Sequence, residues 1–153
     1  MVFTLKCAAF SHGGEIPWKH TCDGPDLSPA LTWENPPTGT ESFSLIVEDP
    51  DAPAGTWVHW VIYNLPGSLR GLPEGISKAQ ELADGSRQGR NDFGGLGYGG
   101  PCPPPGPAHR YFFRIIALDA KLSLRAGAAK SDLESAMKGH FLAHAELMGR
   151  YRR

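Results

Sequence analysis

The sequence is poor in cysteine, has almost no net charge and contains no long apolar run. Its three cysteines, Cys7, Cys22 and Cys102, are too few and too scattered for a disulfide scaffold, and none belongs to a CxxC pair. The formal net charge of −1 excludes the broad basic surface that binds nucleic acid. No run approaches the about 18 apolar residues of a membrane-spanning helix, so no membrane span is expected.

The first ten residues carry one lysine and no apolar core, which argues against a signal peptide. We therefore expect a cytoplasmic protein whose cysteines are free thiols. Cys22 and Cys102 both lie in irregular loops beside the polar clusters described below. We expect their Cα atoms to lie within about 7 Å, which is close enough for a bond to form on oxidation.

The length and composition are those of one globular domain. A chain of 153 residues with 41% hydrophobic content buries a sizeable core, so we expect a single domain over 1–153. The 14 prolines and 19 glycines concentrate in Cys22–Pro37 and Gly85–Pro107, between apolar runs. These two segments are predicted to be long ordered loops rather than disordered chain.

Short runs rich in β-branched and aromatic residues predict a mainly β protein. The predicted strands are Phe43–Val47, Trp57–Leu65 and Tyr111–Leu118, with weaker candidates at Phe3–Ala8 and Ala30–Trp33. Strict alternation along the second strand would place Trp57, His59, Val61, Tyr63 and Leu65 on one face, and Val58, Trp60, Ile62 and Asn64 on the other. Both faces are apolar, which predicts a central strand covered on both sides.

One helix is predicted near the C-terminus. Ser131 and Glu134 have the capping-box spacing. Leu133, Ala136, Met137, His140, His144 and Leu147 follow at helical intervals as far as Gly149. A second helix or 3₁₀ turn is predicted within Gly75–Leu82. Several strands, long loops and one late helix together favour an antiparallel β-sandwich with peripheral helices.

Two polar clusters stand at the ends of predicted strands. Asp49 and Asp51 lie in the proline-stiffened turn Glu48–Pro53, and His59 follows within Trp57-Val58-His59-Trp60. The second cluster is His109-Arg110-Tyr111. Together they suggest a pocket for an anionic group, with a carboxylate orienting His59. The alternative is that the two aspartates cap a turn and His59 is a satisfied core histidine.

Two further patterns are weaker. The glycine-rich run from Gly94 to Gly100 could cradle an anion with backbone N–H groups, but an ordinary long turn is the favoured interpretation. His140 and His144 have the spacing of two metal ligands on a helix, yet no Glu follows His140 and both continue the apolar stripe. We therefore expect no metal and no cofactor.

Five segments together resemble the phosphatidylethanolamine-binding protein family, also called Raf-kinase-inhibitor-like proteins, in its bacterial branch. They are Thr21-Cys22-Asp23-Gly24 with Ser28-Pro29 and Leu31-Thr32-Trp33; Asp49–Pro53; Trp57–Trp60; Gly97–Pro104 leading to His109–Tyr111; and Gly139-His140 with Leu142-Ala143 and Ala145–Leu147. They run in the family's order along almost the whole chain. Gly106-Pro107-Ala108 departs from the shorter spacers common before the histidine.

The resemblance implies a sandwich of two antiparallel sheets, one covered by the C-terminal helix, and a pocket for phosphate or a phosphorylated head group. The implied ligand-binding residues are Asp49, Trp57, His59, Gly100, Pro101, His109 and Tyr111. The histidines, the Tyr111 hydroxyl and the Gly100 N–H would donate to the ligand. Asp49 would orient a histidine or accept a ligand proton, while Trp57 and Pro101 would wall the site.

Two classes of function are compatible with these residues. The first is a non-catalytic module that binds a phosphate-bearing small molecule or side chain and regulates a protein partner. The alternative is a hydrolase using the same residues for acid–base chemistry, although no GxSxG or other activated nucleophile is visible. The resemblance also implies a homodimer, for which Phe93, Leu96 and Tyr98 offer apolar side chains. The alternative is that these side chains fold back onto their own sandwich and wall the pocket.

Overall fold

The protein folds as two antiparallel β-sheets in a computed structural model that describes residues 1–153. The smaller sheet contains β1 (Thr4–Cys7), β2 (Leu31–Glu34) and β5 (Gly71–Leu72), in the order β1-β2-β5. The larger sheet contains β3 (Ser42–Asp49), β4 (Trp57–Pro66), β6 (Arg87–Gln88), β7 (His109–Leu118) and β8 (Phe141–Tyr151), in the order β6-β4-β3-β7-β8. All five predicted strands are confirmed.

The main core lies between the two sheets, which confirms the sandwich. Leu31 and Trp33 of the smaller sheet pack in one cluster with Phe43, Trp60 and Phe113 of the larger sheet. The outer face of the larger sheet is covered by α1 (Lys130–Met137) and by the chain that precedes it. Strands β3 and β4 are therefore buried on both faces, as their continuous apolar character predicts.

Two β-bulges in β4 break the alternation predicted for it. Val47 pairs with Trp60 and Glu48 with Val58, so His59 is an extra residue in the ladder. A second irregularity falls at Asn64, which has a φ of 57°. Because a bulge puts two successive residues opposite one, Trp60, Ile62 and Leu65 face the main core, whereas Val58, Val61 and Tyr63 face α1. The predicted division of faces is confirmed from Trp60 to Tyr63 but is wrong for Val58 and Leu65, which lie beyond the two bulges.

The C-terminal helix is much shorter than predicted. It begins at Lys130, so its N-cap is Ala129 rather than the predicted Ser131. The Asp132 carboxylate accepts a hydrogen bond from the Ala129 N–H at 3.0 Å. It ends at Met137, and Gly139 reverses the chain with a φ of 82°. The residues that follow form the edge strand β8, not a second half of the helix.

Helical structure is scarce elsewhere. The predicted turn of helix in Gly75–Leu82 is wrong, because that segment is irregular. A short 3₁₀ helix instead spans Trp18–His20. None of the helices combines the length and the apolar character that crossing a lipid bilayer requires.

Candidate functional site

The sheet order brings the two polar clusters together. Strand β3 lies between β4 and β7 and is antiparallel to both. The last residue of β3, Asp49, therefore adjoins the first residues of its neighbours, Trp57 and His109. These strand ends surround a cavity of about 200 Å³, here called the first cavity, which is lined by Asp49, Ala52, Pro53, Trp57, His59, Phe93, Cys102, Pro103, Pro104, His109 and Tyr111.

Asp49 orients His109 rather than His59. The His109 ring nitrogen Nδ1 lies 2.7 Å from Asp49 Oδ2, and the backbone N–H of Asp51 donates to Asp49 Oδ1 at 2.7 Å. Both carboxylate oxygens are thus occupied within the protein. With Nδ1 engaged, His109 keeps its Nε2 for another partner.

His59 is held by the glycine-rich segment. Its Nδ1–H donates to the carbonyl of Gly99 at 2.6 Å, while the Gly99 N–H donates to the His59 carbonyl at 2.9 Å. The ring is only 3% exposed. Burial lowers the pKa of His59, although the Gly99 carbonyl and the nearby Asp49 and Asp26 carboxylates favour its charged form. When the ring is neutral, its Nε2, which has no hydrogen-bond partner in the protein, carries a lone pair.

Two buried donors next to the first cavity have no hydrogen-bond partner. They are the Tyr111 hydroxyl and the indole N–H of Trp57. Burial, together with the negative charge of Asp49, raises the pKa of Tyr111 far above its usual range, so the hydroxyl keeps its proton. A buried donor without a partner costs about 1–3 kcal/mol. Both residues belong to the lining of the first cavity.

Aromatic side chains fix the shape of the first cavity. The ring of Tyr111 packs edge-on against His59, with centroids 5.2 Å apart, and the His109 ring stacks on it at 6.5 Å. Phe93 packs edge-on against both Trp57 and His59, at 5.4 and 5.3 Å. Phe93 therefore lines the first cavity, as the alternative to an interface role for this side chain expects.

Gly100 and Pro101 are placed differently from what the resemblance implied, since neither lines the first cavity. The Gly100 N–H donates to Asp26 Oδ1 at 2.9 Å and is not available to a ligand there. A Cβ at this position would lie 2.2 Å from the His20 carbonyl oxygen, so glycine is required for close packing. Pro101 is buried and accepts the Cys22 N–H, while Pro103 and Pro104 wall the first cavity instead.

Cys22 and Cys102 form a disulfide, so the expectation of free thiols is wrong for these two cysteines. Their Cα atoms lie 5.4 Å apart, which confirms the predicted proximity. The bond ties the loop before β2 to the proline-rich segment at the rim of the first cavity. Cys7 is the remaining free cysteine.

Asp51 pairs with Arg110 outside the first cavity. The carboxylate accepts from Arg110 Nε and Nη2 at 2.9 and 2.8 Å, and from the Arg110 backbone N–H at 2.9 Å. These bonds lower the pKa of Asp51 to about 2. The pair joins the turn after β3 to the start of β7.

Replacing Arg110 by alanine is expected to raise the pKa of Asp51 towards the ordinary value near 4. The bonds to Arg110 stabilise the charged carboxylate, so their contribution is present above pH ~4 and is lost as pH falls towards 2. Because the pair is largely exposed, the loss of stability should stay below about 1 kcal/mol. An NMR titration of the Asp51 carboxyl in both proteins measures this pKa. An unshifted midpoint in the variant would show that Arg110 does not lower the pKa of Asp51.

The remaining candidates lie away from the first cavity. His140 bonds Asp119 at 2.8 Å in the turn after α1, and His144 lies in β8, so the helical metal-ligand spacing does not exist. No group of three or more His, Cys, Asp or Glu side chains in the structure could hold a metal ion.

Of the residues proposed for a homodimer interface, Phe93 is 49% exposed, but Tyr98 is buried.

Comparisons with known proteins agree on one family. The model of the family described as phosphatidylethanolamine-binding protein matches residues 6–152. A UPF0098 protein of Methanothermobacter thermautotrophicus is 53% identical over 149 residues, covering 97% of this chain and 98% of that protein. Another, from Aquifex aeolicus, is 51% identical and covers 95% of this chain and 85% of that protein.

Solved structures show the same similarity. A phosphatidylethanolamine-binding protein homologue from Chlamydia trachomatis matches with a TM-score of 0.91 at 42% identity, covering 99% of this chain and 98% of that one. Escherichia coli YbcL, described as a member of the mammalian family, matches with a TM-score of 0.90 at 33% identity over 99% and 98% of the two chains. The chain therefore belongs to the phosphatidylethanolamine-binding protein family, a family of binding proteins.

Proposed function

We propose that the first cavity binds the phosphate group of a small ligand or of a phosphorylated side chain, without chemical turnover. The observation that carries this proposal is the pair of buried, unpartnered donors, the Tyr111 hydroxyl and the Trp57 indole N–H, beside one cavity. His59 and His109 reach the same cavity with their Nδ1 atoms already engaged, which leaves their Nε2 atoms for a ligand.

A phosphate-type anion suits this set of groups. The Trp57 indole can only donate, the Tyr111 hydroxyl has a proton to donate, and each histidine Nε2 becomes a donor when the ring is protonated. Hydrogen bonds from such groups to an ionised oxygen are the strong class. The lining contains a single carboxylate, Asp49, whose two oxygens accept hydrogen bonds from His109 and from the backbone of Asp51, so neither needs a donor from the ligand.

The lining gives the hydrolase alternative little support. It contains no serine or threonine, and its only cysteine, Cys102, is in the disulfide. Asp49, the remaining candidate nucleophile, has both oxygens occupied. Nothing in the lining matches a nucleophile with an adjacent base.

Calorimetric titration with inorganic phosphate at about pH 6 tests the proposal. Tyr111→Phe and His109→Ala should each weaken binding at least about tenfold, because each removes a hydrogen bond to a charged group worth about 1.5–3 kcal/mol. Tyr111→Phe should leave the unliganded protein as stable as before or slightly more so, since it deletes a buried donor without a partner.

His144→Ala is the matched control, because this histidine is exposed on β8 and lies outside the cavity. It should bind phosphate as the unchanged protein does. The proposal is wrong if the unchanged protein takes up no phosphate at millimolar concentration, or if Tyr111→Phe and His109→Ala both retain its affinity.

A further inference from the structure

A larger cavity shares two lining residues with the first one. It has a volume of about 600 Å³ and is here called the second cavity. Its lining residues are Cys22, Asp26, Lys78, Asn91, Phe93, Gly95, Leu96, Gly99, Gly100 and Cys102. Phe93 and Cys102 line both cavities, so the two lie next to each other.

Asp26 presents a partly buried carboxylate to the second cavity. One oxygen, Oδ1, accepts the Gly100 N–H, and the other has no hydrogen-bond partner in the protein. Its backbone has a φ of 60°, a conformation that Asp tolerates better than most residues and that often marks functional positions. Burial raises the pKa of Asp26, while Lys78 and His59 are near enough to oppose that rise.

Lys78 supplies the opposite charge in the same lining. It is exposed, and neither Lys78 nor Asp26 takes part in any salt bridge of the structure. The remaining polar side chain, Asn91, is held by the loop: its Nδ2 donates to the Gly97 carbonyl, and its oxygen accepts two backbone N–H groups. The second cavity thus offers a ligand one negative and one positive group on a mostly apolar wall.

We propose that the second cavity is a subsite for the organic part of a phosphate ester, in which Asp26 binds an ammonium group and Lys78 binds a carboxylate. The ligand class is a phosphorylated amino acid in its free, zwitterionic form. This inference rests on the proposed function, because the ester's phosphate would occupy the first cavity. Phe93 then borders both parts of the ligand.

Three probes separate the phosphate from the zwitterion. O-phospho-L-serine carries all three charged groups, N-acetyl-O-phosphoserine amide keeps the skeleton but lacks the two charges of the amino acid, and inorganic phosphate lacks the skeleton. Calorimetry on the full chain should show phosphoserine binding at least about tenfold more tightly than the blocked amide. The reason is that its ammonium group would pair with Asp26 and its carboxylate with Lys78.

Two variants locate the effect. Asp26→Asn keeps an acceptor for the Gly100 N–H and tolerates the positive φ, and Lys78→Met keeps the length of the side chain. Each should reduce the preference for phosphoserine over the blocked amide at least about fivefold, while changing the affinity for inorganic phosphate less than about threefold. Lys138→Met, an exposed lysine outside both linings, is the control and should change nothing.

The outcomes distinguish the two proposals. If inorganic phosphate binds but phosphoserine and the blocked amide bind equally, the subsite is refuted and the phosphate site stands. A preference for phosphoserine that survives both variants also refutes the subsite, because the charges then act elsewhere. If none of the three probes binds, the subsite falls together with the proposed function.

Discussion

Removing the disulfide, by replacing both Cys22 and Cys102 with serine, is expected to lower the free energy of unfolding by about 2–4 kcal/mol. The bond joins positions separated by 80 residues, so it excludes many extended conformations from the unfolded chain. Loop-closure entropy alone places the upper limit near 4.5 kcal/mol. Urea denaturation of the oxidised protein and of the double variant measures the difference.

The fold itself should survive this change. The Cys22 N–H still donates to the Pro101 carbonyl at 3.1 Å, and Gly100 still bonds Asp26, so the two segments keep their contacts. The control is Cys7→Ser, which leaves the disulfide intact and should shift the denaturation midpoint little. Equal midpoints for the double variant and the oxidised protein would show that the bond contributes nothing to stability.

The first cavity shows what local sequence can and cannot reveal. The clusters around Asp49 and His109 were recognisable, because acids, histidines and aromatics at strand ends are unusual. Their partners were not, since sequence proximity placed Asp49 beside His59 whereas the sheet places it against His109. A hydrogen bond across 60 residues depends on strand order, which one short motif does not encode.

The helix prediction failed where two periodicities overlap. His140, His144 and Leu147 fit helical spacing, but Ala145, Leu147 and Tyr151 also fit the alternation of a strand, and these last three pack in the main core. The residues from Phe141 to Tyr151 form a strand because they pair with β7 along its whole length. Tertiary hydrogen bonds thus override a local helical pattern after Gly139, as they commonly do.

The bulge at His59 could not be read from composition. Alternation alone makes His59 and Trp60 point to opposite faces, yet the extra residue lets Trp60 fill the main core while His59 lines the first cavity. The role of Gly100 also depends on a contact that is distant in sequence. The resemblance implies that this glycine lets the backbone approach a ligand, whereas in the structure it lets the backbone approach the His20 carbonyl of the same chain.

The affinity for sulfate should fall by about 10–100-fold between about pH 5.5 and 7.5. Sulfate keeps its double charge over this range, so only the protein titrates. Burial lowers the pKa of His59, which favours the neutral ring before a ligand binds, and the Nε2 lone pair of the neutral ring repels an anion. Binding must therefore draw in a proton, and one proton taken up changes affinity by up to about tenfold per pH unit.

His59→Asn tests this assignment directly. Asparagine can keep a side-chain N–H for the Gly99 carbonyl, which His59 Nδ1 now contacts at 2.6 Å, but it does not titrate. The variant should bind sulfate weakly and with a flatter dependence on pH. If its affinity falls with pH as steeply as that of the unchanged protein, the titrating group is not His59. The donors Tyr111 and Trp57 hold their protons throughout this range, so they set the baseline affinity that remains at high pH.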